Sequence, residues 1–403
     1  MKKDLRALLA CTFSLAICAG LVLGQEKTDL KPATATPAAK EPETKPATEA
    51  AEKPKIQMAI LLDTSNSMDG LINQARTQLW KIVNEFAKAK KGGVQPDLQV
   101  ALFEYGNNSI DAGANYVRQV VPFTDDLDKV SDELFKLTTN GGEEYCGAVI
   151  EAATKRLQWD ESDKVLKCIF VAGNEPFTQG SIDPFTACSA AIKKGITVNT
   201  IHCGPLATGI NTGWQKGAQL ADGTYVAIDQ DKPVVAVKTP VDEKLVKLSL
   251  ELNKTYVFYG TAEARREREN LQRVQDTNAG KAGLQAAAAR AETKGGELYN
   301  NAKYDLVDGI EKKEVKLEDV KEVDLPEELK GKSLEERKAY VEAQSKKRKE
   351  IQAEIKKLSE ERQKFLADHE AKEREKNKNE SLDTAVIKAV RQQAEKREFK
   401  FEK

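Results

Sequence analysis

At 403 residues, with 63 basic and 64 acidic side chains, the chain has room for more than one packed unit and is almost neutral. Neither sign forms a large block, which disfavours nucleic-acid binding, because that needs a clustered basic surface. With two histidines there is little material for a hydrolytic triad, and no Gly-rich phosphate loop, nucleophile elbow or metalloprotease helix occurs.

Met1-Lys2-Lys3 and Arg6 precede an apolar run from Ala7 to Leu23 that is interrupted by small residues. With Val22-Leu23-Gly24 at its end, this reads as a secretory signal cleaved after Gly24. An uncleaved anchor is the competing reading, since the run approaches the lower length limit of a span. Gln25 to Lys55 is dominated by Pro, Ala, Thr, Lys and Glu, with no large apolar residue except Leu30, and reads as a disordered tether. No later segment is apolar enough to cross a bilayer. The mature chain is therefore expected to be exported, to the periplasm or beyond.

Ile56 to Leu62 is a short apolar run rich in branched side chains, the signature of a buried strand. It ends in Asp63-Thr64-Ser65-Asn66-Ser67, and an amphipathic helix follows, with Leu71, Ile72, Leu79, Ile82, Val83 and Phe86 at helical spacing. The pentad thus falls beyond the carboxyl end of a strand, where α/β sheets place their ligands. One carboxylate and two hydroxyls, from Asp63, Ser65 and Ser67, suit a hard divalent cation. Capping of the next helix is the plainer alternative. Leu98 to Tyr105 reads as a second strand, and Tyr116 to Pro122 as an edge strand that turns at Pro122. Helices expected at about 126–138, 145–158, 183–194 and 214–221 alternate with strands at 167–172 and 196–202. That alternation predicts an α/β fold: a doubly wound, mostly parallel sheet with helices on both faces.

Five segments carry a family resemblance: Ile60 to Met68, the turn Thr139-Asn140-Gly141-Gly142-Glu143-Glu144, Lys167 to Pro176, Gly195 to Gly204, and Gly213 to Asp229. In this order they resemble the von Willebrand factor A domain, in which the pentad is the first loop of a metal-ion-dependent adhesion site. The resemblance covers 56–232. It implies a metal, Mg²⁺ or else Mn²⁺ or Ca²⁺, and a protein ligand that supplies an acidic side chain to it. The chain departs from the family pattern at two points. An acid stands after the Gly-Gly turn where the family has Thr, and Gly173 stands where the family has Asp. Glu143 or Glu144 is therefore expected as a substitute ligand beside Asp63, Ser65 and Ser67. A carboxylate that already neutralises part of the ion's charge would weaken its pull on an acidic partner.

Four cysteines follow the signal: Cys146, Cys168, Cys188 and Cys203. They are expected as thiols or at most one disulfide, and neither spacing nor company suggests zinc. Beyond 232 the composition shifts. A linker and helical segment covers 233–310, with helices at 241–253 and from 261 to about 292, and a Lys/Glu-rich helical, partly coiled-coil region covers 311–403. In the latter, Leu334, Val341, Arg348, Ile355 and Arg362 form one heptad row, and Arg337, Gln344, Ile351, Leu358 and Phe365 the other. Such a seam serves weak self-association, or it is hidden by folding back on the 261–292 helix.

Together these features predict an exported, non-enzymatic binding protein that docks a protein partner through a metal-dependent or degenerate metal site. An envelope structural protein with a metal-free domain, and a metal-assisted hydrolase using Glu143 and Glu144, are the alternatives.

Overall fold

The computed structural model describes residues 53–229, 237–373 and 382–401. The expected signal at 1–24 and the tether as far as residue 52 lie outside them. In chain order the first elements are β1 (Lys55–Asp63), α1 (Asp69–Ala87), β2 (Ala89–Lys90), β3 (Asp97–Tyr105), β4 (Val117–Thr124), α2 (Leu127–Lys136) and α3 (Cys146–Arg156). They are followed by β5 (Leu166–Gly173), α4 (Pro184–Lys193), β6 (Ile196–Cys203), α5 (Leu206–Asn211), α6 (Trp214–Leu220) and β7 (Tyr225–Ile228).

A six-stranded sheet in the order β4-β3-β1-β5-β6-β7 forms the centre, and every pairing except β3 with β4 is parallel. The central strands are apolar almost without alternation because helices cover both faces. One face packs Met58, Leu62, Leu102 and Phe170 against α1 and α2, and the other packs Leu61, Phe103, Ile169 and Val171 with α3, α4 and α6. The expected turn at Pro122 is not there. β4 runs on to Thr124, and its register with β3 slips between the Val100–Thr124 and Leu102–Val121 pairs. Proline is tolerated because this is an edge strand and the slip absorbs the missing donor.

The helical half comprises α7 (Asp242–Asn253), α8 (Ala262–Ala282), α9 (Leu284–Gly295), α10 (Leu306–Glu311), α11 (Leu334–Glu373) and α12 (Leu382–Glu395), then β8 (Lys400–Phe401). The single helix expected from 261 to 292 is two, because Gly283 adopts φ +125° and reverses the chain. The heptad seam of α11 is covered by its own chain. Ile351, Ile355 and Leu358 pack with Leu245, Leu252, Ala288 and Ala291 of α7 and α9, while Val341 packs with Leu306, Leu325 and Leu329. Phe365 stays 40% exposed. The final helix returns to the sheet: Val386, Ala389, Val390 and Ala394 of α12 join the core under α1, and β8 pairs antiparallel with β2. Among the described residues no helix is long and apolar enough to cross a membrane.

One buried ion pair joins the two halves, and others brace the helical half. Arg290 of α9 bonds Asp128 of α2 at 2.5 Å and Asp276 of α8 at 2.6 Å, with its guanidinium 4.7 Å from the Trp80 ring centre. Arg362 of α11 bonds Asp242 at 2.9 Å and Glu292 at 3.1 Å, and Glu292 also accepts from Asn84 of α1 at 3.2 Å. Burial pushes Glu292 up to about 7, against the pull of Arg362. A carboxyl held above its unfolded value contributes stability that is complete at low pH and is lost as pH rises to 7. The stability difference between wild type and Glu292→Gln should therefore move against the wild type by on the order of 1–3 kcal/mol from pH 5 to pH 8. Urea unfolding across that range checks this; a pH-independent difference contradicts it.

Candidate functional site

The site lies at the carboxyl ends of β1, β3 and β5, where strand order diverges from β1 to either side. Register places Asp63 at the end of β1 opposite Tyr105 of β3, and Leu62 opposite Ala172 of β5. Main-chain bonds tie the pentad to its neighbours: Thr64 N donates to Tyr105 O at 2.9 Å, Asn66 N to Gly141 O at 3.1 Å, and Asn140 N to Thr64 O at 3.0 Å. The Asn107 amide adds bonds to Thr64 O and Thr138 O. The Gly-Gly turn is what lets the second loop come this close. Gly142 has φ +144°, and a Cβ there would lie 1.6 Å from Gly106 O and 3.2 Å from Ser65 Cβ.

Asp63 is completely buried. Its Oδ1 accepts from Ser65 N at 2.8 Å, while Oδ2 has no hydrogen-bond partner. Burial pushes its carboxyl up to about 7; bonds from Ser65 oppose this, and the nearby carboxylates Glu144 and Glu175 add to it. The Ser65 and Ser67 hydroxyls are 3.2 Å apart, and Ser67 Oγ accepts from Asn174 Nδ2 at 3.1 Å. Glu144 is buried beside them. Its side chain passes so close to Gly106 that a Cβ there would meet Glu144 Cγ at 2.8 Å and Asp63 Oδ1 at 3.0 Å. Burial raises the Glu144 pKa and the Glu175 charge raises it further, while bonds from Ser65 and Gln179 lower it. With its amide nitrogen turned toward Glu144, Gln179 donates to Oε2 and to the main-chain oxygen, each at 3.1 Å.

Of the five residues expected at the metal, the structure brings together Asp63, Ser65, Ser67 and Glu144. Glu143 is exposed and turned aside, accepting from Tyr145 Oη at 3.0 Å. At the third loop no side chain projects from position 173. A Cβ on Gly173 would meet Tyr105 Oη at 2.5 Å and Asp63 Oδ2 at 3.0 Å. Tyr105, fully buried and donating to Ala172 O at 3.0 Å, fills that space. Sequence reasoning missed Tyr105, Asn174 and Gln179; the first two follow directly from strand ends that were read, and Gln179 carries no local signal.

The surroundings are structural. Trp214 is buried under the third loop and donates its indole N–H to Glu175 O at 2.9 Å. His202 is buried, with its ring centre 5.7 Å from that of Trp214, and desolvation lowers its pKa. Cys146, Cys168, Cys188 and Cys203 are all buried thiols. Burial pushes Cys168 and Cys188 up to about 12, which makes them poor nucleophiles.

Among the described residues no group of three or more His, Cys, Asp and Glu side chains is placed to hold a metal. A cation here would depend on hydroxyls and two carboxylates. The donor set fits one. It is all oxygen, it contains an orphaned buried carboxylate oxygen, and the charges that bear most on Asp63 are those of two other acids.

Residues 57–216 match the family model described as von Willebrand factor type A domain. Similar solved structures include the conserved hypothetical protein BatB from Bacteroides thetaiotaomicron, at 18% identity and TM-score 0.34, over 43% of this chain and 90% of that one. Another is proximal thread matrix protein 1 from the mussel byssus, with a zinc-occupied MIDAS motif, at 17% identity and TM-score 0.35, over 45% and 43%. The SpRpn10 VWA domain is a third, at 16% identity and TM-score 0.33, over 45% and 99%. No curated protein matches the chain. With the sheet order, the pentad and the family match in agreement, residues 57–216 of this chain are a von Willebrand factor type A domain.

Proposed function

We propose that the loops at the carboxyl end of the sheet form a cation-dependent docking face for a protein partner, carried by a chain exported through its N-terminal signal. The observation that carries this reading is the pairing of Asp63, buried with an unpartnered Oδ2, with the buried carboxylate of Glu144. Two ionised carboxyls side by side without a cation are costly, so the arrangement favours either a held proton or a bound hard cation. Asp63, Ser65, Ser67 and Glu144 would hold that ion, Mg²⁺ in preference to Mn²⁺ or Ca²⁺. When bound, it would neutralise the two acids and present an electrophilic position to an oxygen ligand, such as an acidic side chain of the partner. The second carboxylate leaves that position less positive than a single one would.

Binding is preferred over metal-assisted hydrolysis on the geometry of the two acids. Glu143 is bonded to Tyr145, and Glu144 is held by Ser65 and Gln179, so neither stands as a free base facing an open position.

Asp63→Asn tests the reading through two opposite effects. It should abolish the thermal shift that Mg²⁺ or Mn²⁺ produces in the wild type. It should also stabilise the cation-free protein above pH 7 by on the order of 1–3 kcal/mol, because a carboxyl whose pKa burial has raised opposes folding once it is ionised. A wild type with no shift, or a variant that keeps it, contradicts the reading.

A further inference from the structure

Three loops converge on Asp63, and the third is the one whose contribution the Gly173 backbone withholds. A side chain on residue 173 is excluded from both directions, by the Tyr105 hydroxyl and by Asp63 itself. The next residue is placed differently. Asn174 reaches Ser67 with its amide nitrogen, Nδ2 to Oγ at 3.1 Å, and its Oδ1 is buried without a partner. A planar amide that uses its nitrogen on Ser67 carries its oxygen on the same rigid group. The cluster therefore contains a second orphaned acceptor besides Asp63 Oδ2. Two buried oxygens on adjoining loops, each lacking a donor, are best satisfied together by something that accepts lone pairs from both. Donation from Asn174 also fixes Ser67 Oγ as an acceptor at that bond.

We propose that Asn174 is a direct ligand of the cation, its amide oxygen supplying the position that residue 173 cannot. This rests on the cation reading above and adds a residue from the third loop to it. The resulting set would be two carboxylates, two hydroxyls and one amide oxygen, all of the type that hard divalent ions accept. It also assigns the third loop a consequence for partner docking: an amide adds no charge, so the ion keeps more of its positive field than a third carboxylate would leave.

The test uses the full chain, with Mn²⁺ as the probe, followed by calorimetry and by the relaxation rate of water protons. Asn174→Ala should weaken Mn²⁺ binding on the order of tenfold. It should also raise the water relaxation rate of the bound ion, because a water molecule takes the place of the amide oxygen. Asn174→Asp should bind Mn²⁺ more tightly than the wild type, a gain that a merely structural asparagine would not produce. Thermal unfolding of the cation-free variants shows that both fold. Wild-type binding with an unchanged Asn174→Ala affinity, or weakened binding without the rise in relaxation, overturns the inference and leaves the cation reading standing. A wild type that binds no Mn²⁺ overturns both.

Discussion

Replacing Arg348 with Ala should destabilise the protein by about 3–5 kcal/mol, among the largest effects a single side chain can have here. Arg348 is 2% exposed on α11. It donates to Asp305 Oδ2 at 2.6 Å, to Asp308, to Thr255 Oγ1 at 3.1 Å and to Thr255 O at 2.7 Å, and its guanidinium lies 4.2 Å from the Tyr256 ring centre. Asp305, fully buried, also accepts from Val257 N and Asp308 N, so it organises three separate segments. Truncating the arginine leaves this carboxylate buried without its cation, and that uncompensated charge is the main cost. Adding Asp305→Asn to Arg348→Ala should therefore recover part of the loss. Urea unfolding of the single and double variants measures both effects. A loss below about 1 kcal/mol would mean that α11 is not docked as described.

Gly142→Ala should be nearly as damaging, and it should also silence the site. The new methyl would lie 1.6 Å from Gly106 O, a main-chain atom that cannot rotate away, at a φ of +144° that L-residues rarely adopt. Relief requires the second loop to withdraw from Ser65, which breaks the Asn66–Gly141 and Asn140–Thr64 main-chain bonds. The expected cost is about 3 kcal/mol or more, with loss of any cation-induced thermal shift. Gly93→Ala is the control: it also has positive φ, +81°, but no atom lies within 4 Å of its Cβ. Strain alone should cost it about 1–2 kcal/mol and leave cation binding intact. Equal effects from the two substitutions would show that close approach at Gly142 is not what seats the loop.

The sheet and the first loop were legible because their signals are local. An apolar run of strand length, a carboxylate with two alternating hydroxyls and an amphipathic helix lie within 32 residues, and β1 and α1 form from them as read. The choice between Glu143 and Glu144 was not legible. Consecutive acids look alike in sequence, and the turn decides between them: with Gly141 at φ +49° and Gly142 at +144°, only Glu144 is carried inward. The α11 seam was legible as a heptad row, arginines included, but their partners were not. Asp305 and Asp308 pair with Arg348, and Asp242 and Glu292 with Arg362, across 40 to 120 residues of chain. Gly283 was hidden by its strongly helix-forming neighbours, whose propensity a single residue at positive φ overrides.

The central claim is that Asp63, Ser65, Ser67 and Glu144 hold a hard cation. Calorimetric titration of the full chain with Mg²⁺, Mn²⁺ and Ca²⁺ at pH 8 tests it most directly, because Asp63, whose carboxyl burial pushes up to about 7, is then largely ionised. One cation per chain, with the heat lost in Asp63→Asn, is the predicted result. No heat and no thermal shift with any of the three ions would contradict it.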